Sequence, residues 1–206
     1  MDQRLQKQID FLVTIDQLKQ VVRRNYLADA SRPENTAEHS WHLGVMAMVL
    51  AEYASQPIDT ARTVRMVLVH DIIEIEAGDT FAYDTEGYRD KAEREQKAAR
   101  NLFGLLPDDQ AGEMNALWEE FEAGETAEAR FANALDRLLP LLQNYHSGGR
   151  SWKENHIRSD QVLQRNRPVR EGSQPLYELA AEIIQEALQR KLLLPPEEDH
   201  PSGGVP

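Results

Sequence analysis

The stretch LVHDIIEIEAGD, residues 68–79, has the apolar spacing of a core helix, yet it carries His70, Asp71, Glu74, Glu76 and Asp79. Burying a carboxylate is expensive unless it is paired, hydrogen-bonded or bound to a metal, so the cluster demands a partner from elsewhere in the chain. In a helix Glu74 lies four residues after His70 and three after Asp71, which brings all three side chains to one pocket. Val67, Leu68 and Ile75 flank that arc with apolar surface. Glu76 points away from Glu74, toward solvent. Gly78 is the residue expected just past a helix end, and it releases Asp79.

The same apolar faces recur elsewhere. His39 falls in the first turn of a helix whose Leu43, Met46 and Leu50 follow at helical spacing, so it points inward. Asp136, in FANALDRLLPLL (residues 131–142), shares its face with Ala132 and Leu139 and has Leu135 and Leu138 on either side. Pro140 cannot donate the hydrogen bond that the carbonyl of Asp136 would receive, which predicts a bend that helps to aim that carboxylate. Each residue alone has a plainer explanation. A histidine on an apolar face is commonly a satisfied core residue, and Arg130 or Arg137 could neutralise Asp136. Four such residues on three helices together favour a divalent metal, and imidazole with carboxylate suits Mn²⁺, Fe²⁺, Co²⁺, Zn²⁺ or Mg²⁺.

Apolar residues recur mostly at helical spacing and alternating runs are nearly absent, so the expected fold class is all-α, with about six main helices. The first covers roughly residues 3–24, with Leu5, Ile9, Leu12 and Leu18 close to one stripe. NTAE (35–38) offers a capping box that opens the next helix. Further helices are expected at 60–77, 88–105, 108–123, 126–145 and 176–194. The segment 146–172 reads as polar, irregular and locally basic, with Arg165 among its arginines. Trp41, Trp118 and Phe121 read as core. No repeat or linker divides the chain, so residues 1–194 are expected to form one domain and 195–206 a disordered tail.

The 206 residues suffice for a sizeable core, and the formal charge of −12 disfavours nucleic-acid polymers and anionic membranes as partners. There is no cysteine, so any metal is held through nitrogen and oxygen. MDQRLQKQID (1–10) lacks the basic start and apolar run of a signal peptide, and no apolar stretch approaches ~18 residues. The expected setting is cytoplasmic.

The ordered set His39, His70-Asp71, Asp136 resembles the H…HD…D signature of the HD superfamily of metal-dependent phosphohydrolases. SRPENTAEHSWH (31–42) and LVHDIIEIEAGD are similar to elements of its 5'-deoxynucleotidase branch, over roughly residues 10–145. The resemblance implies an HD-domain helical bundle, commonly homodimeric, that hydrolyses nucleoside 5'-monophosphates, preferably deoxy forms, to nucleoside and phosphate. It assigns one divalent metal ion (Mn, Co, Mg, Fe or Zn) to His39, His70, Asp71 and Asp136. Glu74 would handle the attacking water, Asp79 would meet the sugar, and Arg24 and Arg32 would contact the substrate. The branch's tryptophan after the phosphate-contacting arginine is Asn25 here, followed by Tyr26. Two other outcomes fit parts of the pattern: hydrolysis of a diphosphate or alarmone ester, and a nucleotide sensor that keeps its metal for folding. Alarmone hydrolases of the superfamily carry Glu-Asp side by side after the His-Asp pair, whereas Ile75 follows Glu74. A purely structural metal needs neither Glu74 nor Asp79.

Overall fold

The computed structural model describes residues 2–197. Helix α1 (Gln3–Thr14) starts on the Asp2 side chain, which accepts from the Arg4 N–H. It does not reach residue 24. A 3-10 turn (Ile15–Gln20) tightens the chain, and strand β1 (Val22–Tyr26) pairs antiparallel with β2 (Pro33–Asn35). The β-branched Val21-Val22 pair ahead of Arg23 is poorly suited to continuing a helix, and a strand's two-residue period governs where Arg23 and Arg24 point. The expected α1 stripe is also mostly solvent-facing: Leu5, Ile9 and Leu12 are exposed, while Phe11 and Leu18 enter the core.

Asn35 caps α2 (Thr36–Leu50) as expected: its side chain accepts from the Glu38 N–H at 3.0 Å, and Glu38 reaches back to the Asn35 N–H at 2.8 Å. That box fixes where α2 begins, and hence where His39 stands. The expected helix 60–77 is two helices, α3 (Thr60–Val69) and α4 (Glu74–Ala77). Between them the backbone bonds tighten to three-residue spacing, Ile72 to Val69 and Glu74 to Asp71. Gly78 then takes φ 76°, ψ 151°, a region open essentially to glycine alone, and turns Asp79 back toward the cavity.

Helix α5 (Lys91–Phe103), α6 (Asp108–Ala123) and the long α7 (Ala127–His146) follow. α7 continues unbroken through Pro140. The segment 146–172 is not irregular: it forms α8 (Arg150–Glu154), α9 (Ser159–Asn166) and α10 (Val169–Gly172) before α11 (Gln174–Gln189). Trp152, Ile157, Val162 and Val169 pin this segment to the core. A Cβ on Gly172 would stand 2.3 Å from the Arg130 carbonyl, so only glycine lets α10 close on α7. α7 is the central helix, with α2, α3, α6, α9, α10 and α11 packed around it. One contiguous apolar core runs from Phe11 to Leu193. Trp118 and Phe121 belong to it, but Trp41 does not, being 64% exposed. The expected tail falls largely on 198–206, outside the described residues.

Candidate metal and substrate site

His39 from α2, His70 from the end of α3 and Asp136 from α7 meet at the centre of the bundle. One ligand atom from each lies within 4.8 Å of the others. The outer nitrogen of each imidazole is already committed. His70 Nδ1 is 2.8 Å from the Val67 carbonyl, which can only accept, so Nδ1 carries the proton. His39 Nδ1 is 2.9 Å from Glu34 Oε2, and its Nε2 is 3.0 Å from Asp136 Oδ1. Glu34 is itself buried and accepts from Gln143 Nε2. The inward His70 Nε2 is buried without a hydrogen-bond partner, 3.1 Å from Asp71 Oδ2 and 3.8 Å from Asp136 Oδ1. Outer N–H groups held by a carboxylate and a carbonyl, with Nε2 turned inward, are how metal-binding histidines are oriented. The residues fit a divalent ion on that ground and on their nitrogen and oxygen donors.

Asp71, the fourth expected ligand, stands beside this triangle with its carboxylate on Arg23, 2.8 Å from Nη1. The same guanidinium lies 3.7 Å from Glu74, 3.8 Å from Asp79 and, through Nε, 3.9 Å from Glu34. Five carboxylates thus face one arginine and two imidazoles. The imbalance shows in the titrations. Burial pulls the His70 imidazolium down, but Asp71 and Asp136 outweigh it and raise His70 to about 10. Burial pushes Asp71 up, and His70 and Arg23 more than reverse it, bringing Asp71 to about 2. Burial and the neighbouring Asp71 hold Glu74 well above the usual carboxylate range. Burial raises Asp79 too, against the pull of Arg23. Surplus negative charge of this kind is what a bound divalent cation would offset.

Glu74 is oriented by Thr36, whose hydroxyl donates to Oε2 at 2.9 Å. Glu76 is exposed, as expected, and accepts from Asn101. The expected substrate arginines separate. Arg24 lines a small cavity of about 60 Å³ and lies 5.6 Å above the Phe81 ring. Arg32 lines neither this cavity nor the larger one of about 230 Å³ over the metal centre; it is half-exposed and bidentate with Glu38 at 2.6 and 2.9 Å. It braces the α2 cap, and the structure does not bring it to the site. Arg23, Glu34, Thr36 and Gln143 were missed from sequence, although Glu34 lies inside the quoted SRPENTAEH.

The HD-domain profile matches residues 15–177. The chain belongs to the HD-domain family. Within it, the chain is 36% identical over 136 residues to the human protein named 5'-deoxynucleotidase HDDC2, a match spanning 66% of this chain and just under two thirds, 65%, of that one. A Dictyostelium discoideum protein of the same name is 26% identical over 143 residues, 66% of this chain and 75% of that protein. A crystal structure described as a predicted metal-dependent phosphohydrolase from Magnetospirillum magnetotacticum MS-1 is 50% identical, with a TM-score of 0.89 over 93% of this chain and 96% of that one. A Pyrococcus furiosus protein at 22% identity and TM-score 0.60, covering 86% of this chain and 99% of that one, shares the fold. The resemblance read from H…HD…D therefore stands, as does the all-α class, with the two-stranded β1–β2 pair as its addition. No helix among the described residues is long and apolar enough to cross a membrane.

Proposed function

We propose that this HD-domain protein is a metal-dependent phosphomonoesterase that hydrolyses nucleoside 5'-monophosphates, deoxy forms among them, to nucleoside and phosphate. The observation that carries the reading is the pair of pinned imidazoles, their Nε2 atoms converging with Asp136, beside a buried carboxylate of raised pKa. His39, His70 and Asp136 would hold the ion, with Asp71 swinging from Arg23 as the fourth ligand. When bound, the ion supplies Lewis acidity, which makes water nucleophilic near neutral pH and offsets phosphoryl charge.

The remaining work falls to side chains. Glu74, aimed by the Thr36 hydroxyl, takes the proton of the attacking water, and burial beside Asp71 raises its affinity for that proton. Arg23 balances Asp71, Glu74 and Asp79, so that these carboxylates coexist in one buried volume. Asp79, delivered by Gly78, is placed to accept from a sugar hydroxyl. Arg24 lines the smaller cavity beside Phe81, on the substrate side of the site.

A homodimer and a cytoplasmic setting belong to the same proposal. Support for the dimer comes from α2, where Trp41, Val45, Met48 and Val49 form one exposed apolar row, with Met48 67% and Val49 64% accessible. Cytoplasm is where nucleoside monophosphates are met.

The deciding experiment measures phosphate release from nucleoside mono-, di- and triphosphates with Mn²⁺, Co²⁺, Mg²⁺ and Zn²⁺, with Glu74→Gln run alongside. Turnover of monophosphates with at least one metal, lowered by roughly 10²–10⁴-fold in the variant with its metal content intact, is the expected result. No turnover with any metal, or an undiminished variant, defeats the proposal.

A further inference from the structure

Arg23 is shared among four carboxylates, so it cannot by itself balance an incoming phosphate dianion as well. Its guanidinium is buried among Asp71, Glu74, Asp79 and Glu34, and a dianion brought to it would meet those carboxylates first. Yet the acidic centre has to admit an anionic ester, so cations not already neutralised by carboxylates are needed close by. Two arginines meet that requirement. Arg137 follows Asp136 on α7, and among the described residues its only hydrogen bonds run from Nη1 to the Asn133 carbonyl at 3.2 Å and to Asn133 Oδ1 at 3.0 Å. Its Nε is buried with no partner at all. Arg165 lies on α9 and, among the described residues, makes neither a hydrogen bond nor an ion pair. Neither has a carboxylate within ion-pair distance among the described residues, and both are half-buried, where unpaired charge is costly.

Position supplies the second half of the argument. Arg137 and Arg165 line both cavities: the one over His70, Asp71 and Glu74, and the one that runs on to Phe81, Tyr83 and Trp152. They share that boundary with Arg23, Asp79 and Thr80. Two guanidinium groups that line both cavities where these meet, beside an acidic centre and without a carboxylate within ion-pair distance among the described residues, offer a phosphate two forked donors.

We infer that Arg137 and Arg165 form the phosphate clamp of this site, gripping the non-bridging oxygens of a phosphomonoester as it approaches the metal centre, while Arg24 serves the ring-lined cavity. The inference rests on the phosphomonoesterase reading above and deepens it. It also gives a task to the basic segment 146–172: α9 packs on α7, which brings Arg165 to the cavities that Arg137 also lines.

The test uses the metal-loaded full chain and two titrations, inorganic phosphate and deoxyadenosine, on the wild type and on Arg165→Ala, Arg137→Gln and the double variant, with KM and kcat for deoxyadenosine monophosphate. Arg165 makes no bond to lose, so Arg165→Ala keeps the fold even where Arg137→Gln disturbs Asn133. Each single variant should weaken phosphate binding and raise KM by about 10-fold or more, with deoxyadenosine affinity and metal content changing less than about twofold. Arg165→Lys should recover only part of the loss, because a lysine keeps charge without the planar fork. Unchanged phosphate affinity in Arg165→Ala overturns the clamp, even if the wild type hydrolyses monophosphates normally. Phosphate binding that is lost in the variants while the wild type releases nothing from any monophosphate would retain the clamp and overturn the activity. A wild type that binds no phosphate overturns the clamp.

Discussion

The wall built from β1, α2, α3 and the Gly78 turn and the wall built from α7 and α9 treat charge in opposite ways. On the first, Arg23 is shared by four carboxylates, both histidines have their outer nitrogens committed, and His70 carries a proton up to about pH 10 because negative charge is in excess. On the second, Arg137 and Arg165 have no carboxylate within ion-pair distance among the described residues. One wall is short of a cation and the other short of an anion. Binding a metal to the first relieves its repulsion, and the phosphate that follows relieves the second, so the two ligands should support one another.

The comparison breaks most completely at His70. Replacing it with alanine removes a pinned donor and leaves Asp71 and Asp136 facing each other across the gap. Metal content after equilibration with Mn²⁺ should fall to background, and phosphate release should drop by more than about 10³-fold, because nucleophile activation and charge neutralisation go together. Retention of metal at wild-type stoichiometry would remove His70 from the ligand set.

A smaller effect is expected one step behind the metal. Glu34 touches no substrate, yet it orients His39 and is itself held by Gln143. Glu34→Gln should lower metal affinity by roughly 10–100-fold with the fold intact. Metal titration by calorimetry reads this directly, and equal affinity would mean that His39 needs no carboxylate behind it.

The proton on His70 gives the first wall a pH signature. His70 has a folded-state pKa of about 10 against an ordinary 6.5, so in metal-stripped protein its contribution to stability is full below about 6.5 and is lost as pH rises through 10. Glu74, also raised, acts in the same direction. The thermal midpoint of the apoprotein should therefore fall across that window, while metal-loaded protein changes less. At pH 7–8 metal binding should release about one proton, measured as a dependence of the calorimetric heat on buffer ionisation enthalpy. Heats independent of buffer would show that His70 is already neutral.

How much of this was legible in sequence follows the same division. His39, His70, Asp71 and Asp136 were readable because each is an ionisable group on an otherwise apolar helical face, and a chain tolerates that only for a reason. The capping box was readable because its geometry is set within four residues. Arg23 was not: a helical period was carried through residue 24, whereas the chain turns into a strand after Gln20 and Arg23 faces the carboxylates. Trp41 misled because burial is decided by what covers a face, and the α2 row has no cover among the described residues. The segment 146–172 looked irregular since its helices are too short to display a period, and its four anchors, Trp152, Ile157, Val162 and Val169, are scattered through polar sequence.

The smallest expected effect tests whether the first wall depends on where α2 begins. Asn35 accepts the Glu38 N–H, and Glu38 returns to the Asn35 N–H while holding Arg32 at the surface. Asn35→Ala removes one half of this exchange and should cost about 1 kcal/mol, a few degrees in thermal midpoint for a chain of this size. Thr36 and His39 lie within the first turn or so after this cap, so fraying there loosens both the hydroxyl that holds Glu74 and the imidazole that meets Asp136. Metal affinity should therefore fall along with the midpoint, by less than Glu34→Gln produces. A loss of stability with metal affinity unchanged would mean that His39 is held by Glu34 and Gln143 alone, and that the cap serves the helix without serving the site.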